Sequence, residues 1–146
     1  MYGFHGTAPD NIQHVLKNGL LPAGHPLIPH TVRSTDKGYF GAGNTGVYVA
    51  AKLDYALQYS NNLRPLAPGE SVRLICVKMK PGIPYHCPRK IGAEMTVKSG
   101  HHSHRSINDQ EYWLPYAYQS YPFAILTVTA IERSNAAISM NDGDGM

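Results

Sequence analysis

Residues 5–20 read HGTAPDNIQHVLKNGL. The stretch is a strand end running into a helix with both of its ends marked. Thr7 stands as an N-cap, with Asp10 three residues on and Pro9 in the first turn, where an amide hydrogen is not needed. Ile12, Val15 and Leu16 fall on one helical face. Gly19 sits just past the last turn, the place where a left-handed backbone closes a helix. Upstream, residues 2–6 predict a short strand. Chain ends ordinarily fray, so His5 is either incidental or one part of a site completed further along.

Working outward, a Pro-rich loop spans 22–37. GYFGAGNTGVYVA, residues 38–50, is Gly-rich and then apolar, a loop entering a short strand. It lacks the glycine order and the Lys-Ser/Thr pair of phosphate-binding loops. Residues 52–60 predict a helix with Leu53, Ala56 and Leu57 inward. After a loop at 61–70, SVRLICVKMK (71–80) is strongly β-type. Residues 81–110, rich in His, Gly and Ser, read as irregular. EYWLPYA (111–117) and FAILTVTAIER (123–133) predict two more strands. The tail at 134–146 is expected to be flexible. Helices early, strands late and long loops between them predict an α+β domain over 1–133 with mostly antiparallel strands. No internal repeat is visible.

Composition narrows the function classes. The 146 residues carry a net charge of +3, and only 16% are charged. No Lys/Arg run exceeds the pair Arg89-Lys90, so the basic footprint of a nucleic-acid binder is missing. Cys76 and Cys87 make no disulfide framework. The longest apolar runs are too short for a membrane span or a secretory leader. A monomer is expected, and the compartment stays open, with cytoplasm or nucleus ahead of secretion.

Four features could carry chemistry. His5 alone is more often packing than catalysis. Glu111 opens an aromatic strand beside Tyr112 and Trp113, which would partly desolvate its carboxylate; the plain alternative is an exposed strand-end glutamate. His101, His102 and His104 could bind metal, but no carboxylate or thiol partner stands at a recognised spacing, and no metal is expected. The glycine run 38–46, with Tyr39, Phe40 and Tyr48, would let backbone and aromatic faces approach a flat ligand. Taken alone, it is a tight loop.

Together the four resemble one family. HGTAPDNIQHVLKNGL, then GYFGAGNTGVYVAAKLDYALQYS, then EYWLPYAYQSYPFAIL resemble, in this order, the three motifs of the His-Tyr-Glu ADP-ribosyltransferases, the poly(ADP-ribose) polymerase-like class. The likeness covers residues 2–130, nearly the whole chain. It implies a fold of mostly antiparallel split sheets with a few short helices. It also implies an NAD⁺ substrate and no metal. By the resemblance, His5 binds the adenosine ribose, Gly6 grips the nicotinamide carboxamide, and Thr7 and Asn11 touch the adenosine ribose. Tyr48 and Tyr59 stack on nicotinamide, Tyr39 belongs to the same cofactor-binding set, and Glu111 holds the nicotinamide-ribose hydroxyl. The reaction implied is cleavage of the nicotinamide–ribose bond and transfer of ADP-ribose to an acceptor, with a single transfer favoured over a polymer. Simple NAD⁺ hydrolysis, or a degenerate module that binds NAD⁺ or a partner without turnover, is the alternative. An RNA 2′-phosphotransferase of the same fold is disfavoured by the sparse arginines and by Glu111. One departure bears on nicotinamide: the family's serine eight residues after the first tyrosine is Ala56 here. If the first strand is tied into a sheet, trimming Tyr2–Phe4 is expected to weaken NAD⁺ binding before it unfolds the domain.

Overall fold

Nine residues of unbroken β-type sequence, Ser71–Met79, form the strand around which the molecule is built. A computed structural model describes residues 1–21, 26–27, 46–61, 64–89 and 96–131. In chain order the elements are β1 (Tyr2–His5), a 3-10 turn (Pro9–Asn11), α1 (Ile12–Asn18), β2 (Val47–Ala50), α2 (Leu53–Ser60), β3 (Ser71–Met79), β4 (Pro84–His86), β5 (Ser103–Arg105), β6 (Glu111–Leu114), a second 3-10 turn (Ala117–Gln119) and β7 (Ser120–Thr129). The class is α+β. The seven strands lie in the order β4-β5-β6-β2-β1-β3-β7. All pairings are antiparallel except β4 with β5.

The resemblance implies split sheets. The strands belong to one sheet, not two, but β1 and β2 meet only at Phe4 and Ala50. By contrast β1 pairs with β3 through four residues, and β2 with β6 through four. The sheet is therefore two blocks, β4-β5-β6-β2 and β1-β3-β7, joined at a waist one pair wide.

Both faces of the central strands are buried, which is why β3 reads as a nearly continuous apolar run. Ile75, Val77 and Met79 of β3 join Val47, Val49 and Leu114 in a cluster closed by Val15 of α1. Leu74 and Ala50 point the other way, into a cluster with Tyr55 and Ala56 of α2, against which Phe4, Leu53 and Leu57 pack. Alternation along β2 and β3 feeds the two clusters in turn.

Two details of α1 differ from expectation. Thr7 is not its cap: the chain enters through the 3-10 turn, with Ala8 before it and no side-chain cap at either start. Leu16 is 63% exposed. The helix is a short seven residues, and its inward stripe is only Ile12 and Val15. Gly19, at φ 77°, turns the chain so that Leu20 returns to the core in the place Leu16 was expected to fill. In the 81–110 region expected to be irregular, β4 and β5 are short strands. β6 ends at Leu114, sooner than expected, and β7 begins at Ser120, sooner than expected. β7 is an edge strand with a bulge opposite Cys76/Val77. Its side chains are largely exposed, Tyr121 at 67% and Phe123 at 52%. The tail at 134–146 lies outside the described residues.

Candidate functional site

The waist between β1 and β2 gathers His5, Gly6, Tyr48 and, on the next strand, Glu111. His5 ends β1, and its Nδ1 lies 2.6 Å from the Tyr48 carbonyl oxygen of β2. This contact bridges the two strands just where their ladder stops. A carbonyl oxygen only accepts, so Nδ1 carries the hydrogen and Nε2 is left as an acceptor. Burial pushes the His5 pKa below its ordinary 6.5, with the bond to Tyr48 pulling the other way. The ring is thus neutral at pH 7, in one tautomer.

Gly6 follows immediately. Its amide and carbonyl have no hydrogen-bond partner among the described residues. A Cβ here would collide with the Ala56 carbonyl oxygen and would come within 2.8 Å of Ser60 Oγ. Only glycine lets β1 run this close to α2. Ala56 itself is buried in the α2 cluster, and its carbonyl accepts from Ser60 Oγ at 3.2 Å. The methyl at this position is part of the core. Thr7 and Asn11 are joined to one another, Asn11 Nδ2 donating to Thr7 Oγ1 at 2.8 Å.

Glu111 begins β6, in register with Ala50, while Trp113 is in register with Tyr48. Residues paired across strands share a face, so Tyr48, Ala50, Glu111 and Trp113 all lie on the side covered by α2. Glu111 is only 5% exposed. The exposed strand-end glutamate is therefore excluded. Its backbone is held by Ser106, which is fully buried. Ser106 Oγ accepts from the amides of Gln110 (3.0 Å) and Glu111 (3.1 Å) and donates to Asn108 Oδ1 (2.9 Å). The Ser106 amide donates to the Glu111 carbonyl at 2.9 Å. In the same turn Asp109, at φ 60°, forms an ion pair with Arg105, Nε to Oδ1 2.9 Å. Nothing in the sequence reading singled out Ser106. The cluster Ser-Ile-Asn-Asp-Gln is a turn signal that could have done so.

Tyr48 and Tyr59 stand on different supports. Tyr48 packs beside Trp113, Cys87 and Tyr85. Tyr59 is in the last turn of α2, its hydroxyl 3.1 Å from that of Tyr55. Both are partly exposed. Tyr39 and Phe40, with the glycines before Gly46, lie outside the described residues.

The three histidines do structural work. His104 is buried on β5, its Nε2 accepting from the Lys98 amide at 2.9 Å. Its ring meets Trp113 and Tyr85 edge-on. His102 Nδ1 accepts from the Ile83 amide at 3.0 Å. Among the described residues no group of histidines, cysteines and carboxylates could hold a metal ion. Nor is any helix among them long and apolar enough to cross a membrane. No protein-family model matches the chain, and no curated protein matches it.

Proposed function

We propose that the protein is an ADP-ribosyltransferase that cleaves the nicotinamide–ribose bond of NAD⁺ and transfers ADP-ribose, one unit at a time, to an acceptor. The observation that carries this reading is the waist: the His5 ring bonded to the Tyr48 carbonyl, with Glu111 buried across β2 on the next strand. Three segments far apart in the chain, near residues 5, 48 and 111, lie on three adjacent strands, β1, β2 and β6.

The chemistry follows from the groups present. Neutral His5 offers Nε2 to a ribose hydroxyl, because Nδ1 is committed to Tyr48. Gly6 offers one amide hydrogen and one carbonyl oxygen, the complement of a primary carboxamide. Departure of nicotinamide builds positive charge on the ribose, and a fixed carboxylate such as Glu111 stabilises it in a water-poor site. The same carboxylate can take the proton of an attacking hydroxyl. Tyr48 and Tyr59 supply aromatic faces that orient the leaving ring. No metal is required.

Ala56 favours a second reading, a module that binds NAD⁺ without transfer, since the methyl removes one hydrogen bond to nicotinamide. Incubation with labelled NAD⁺, following nicotinamide release and label on protein, separates the two. Release by the wild type and its loss in Glu111→Gln is the expected result. No release over hours at high protein concentration sinks the enzyme and leaves the binding module. Release without transfer to any acceptor means a hydrolase.

A further inference from the structure

On the opposite side of β1 from Tyr48, β3 runs on past its last pairing partner. His5 pairs with Ile75, and Ser71–Leu74 continue beyond it, paired only with β7. In an antiparallel strand alternate N–H and C=O groups point to alternate neighbours. Along this stretch one set points at the space that β1 has vacated. That space is a cavity of about 260 Å³, bounded by Pro9, Ser60, Asn61, Arg64, Ser71 and Arg73 among others.

Two arginines, Arg64 and Arg73, line this cavity, and among the described residues no Asp or Glu does. Among the described residues neither Arg64 nor Arg73 has an acidic partner, for the ion pairs present all involve Asp109. Both arginines spring from fixed backbone. Arg73 is within β3. Arg64 is clamped by Asn61, which is 8% exposed and donates through Nδ2 to the carbonyls of Arg64 (3.0 Å) and Pro65 (3.2 Å). The Arg64 amide returns a bond to the Asn61 carbonyl at 3.0 Å. Two cationic side chains at one cavity without a counter-charge raise the local potential, and planar guanidinium forks match the oxygens of a phosphate.

We propose that this cavity is a binding site for a phosphate group, carried by Arg64 and Arg73. It does not rest on the NAD⁺ reading, because it shares no residue with His5, Tyr48 or Glu111. Its closeness to Thr7–Asn11 leaves two sources for the phosphate: the diphosphate of a dinucleotide reaching round from the waist, or a separate phosphate ester.

The test is titration of the intact protein with inorganic pyrophosphate, followed by amide chemical shifts and calorimetry, for wild type, Arg64→Gln and Arg73→Gln. Both side chains are exposed, so the variants keep the wild-type unfolding midpoint. Shifts centred on Asn61, Arg64 and Val72–Arg73 are expected, and each substitution weakens binding about tenfold, the size of one lost charge-assisted contact. Affinity falls as sodium chloride is added. Shifts elsewhere, or unchanged affinity in both variants, would overturn the proposal. NAD⁺ added to the pyrophosphate complex identifies the source: displacement means a shared dinucleotide, and a ternary complex means a second ligand. Glu111→Gln keeps pyrophosphate binding whatever it does to NAD⁺ cleavage, so the two readings fail separately.

Discussion

Removing one hydroxyl, in Ser106→Ala, strips the buried Glu111 amide of its acceptor and leaves the Gln110 amide only Asn108 Oδ1 at 3.3 Å. A buried donor left unmade costs about 1–3 kcal/mol. Urea denaturation is expected to register that loss, and nicotinamide release is expected to fall with it, since Glu111 loses the contact that sets where β6 begins. Acid should reveal the two histidines whose pKa values burial has lowered, His5 and His104; for His104, the charges of His101 and Lys98 act in the same direction. Near and just below pH 6.5 the unfolded chain takes up protons that the folded chain refuses, so stability falls as pH drops through that value, and levels off once the folded state also titrates. Thermal unfolding midpoints measured between about pH 8 and 5 should be flat at the upper end and decline below about 6.5. The decline should be shallower in His104→Gln, even though that variant starts less stable. At this scale the burial of Glu111 was legible, because the aromatic residues beside it in the sequence announce a desolvated carboxylate. The sequence was opaque where a side chain serves a backbone group across a turn, as Ser106 does. The Thr7 misreading has the same root: a hydroxyl before a helix looks like a cap, yet this one is taken by Asn11.

The elements divide by length. β3 was visible because its buried residues, Val72, Leu74, Ile75, Val77 and Met79, leave a long apolar, β-type run. β4 and β5, three residues each, are too short for any alternation to emerge. β5 is moreover buried through His104 and Ser103, polar residues that read as loop. β7 was legible as a strand but not as an edge, since its ten residues, SYPFAILTVT, carry no charge and look like a strand meant for the interior. Natural edges are protected by charge, proline or a bulge. Here Pro122 and the bulge opposite Cys76/Val77 protect only the first half. Phe123→Lys, at the bulge, is expected to lower turbidity on heating while shifting stability by no more than about 0.5 kcal/mol, as for other exposed positions. A rise in turbidity would mean that the aromatic patch Tyr2–Phe123, 5.6 Å between ring centres, protects the edge instead of exposing it.

For the whole molecule, the two-block sheet sets the pattern of stability. β1, β2 and β3 lie between paired neighbours and two helical layers, whereas β4 is a three-residue edge strand. Native-state hydrogen exchange should therefore find global protection at β1 and β3 amides and early opening at β4. Deleting residues 1–4 now has a different expected outcome from the one read in the sequence. Gly3 backs onto Val49 and Met79, and the Met79 amide donates to the Met1 carbonyl at 2.8 Å. Loss of that strand opens the core between β2 and β3, so circular dichroism should report an unfolded chain before any ligand is added. The position of β1 also has a consequence in time. Its partners are Ala50 and residues 75–78, so it leaves the ribosome well before anything it can pair with. At ~5–20 residues per second that wait is roughly 4–14 s. Throughout it, β1 waits without its longer ladder, and its four-residue pairing forms only when translation has delivered β3.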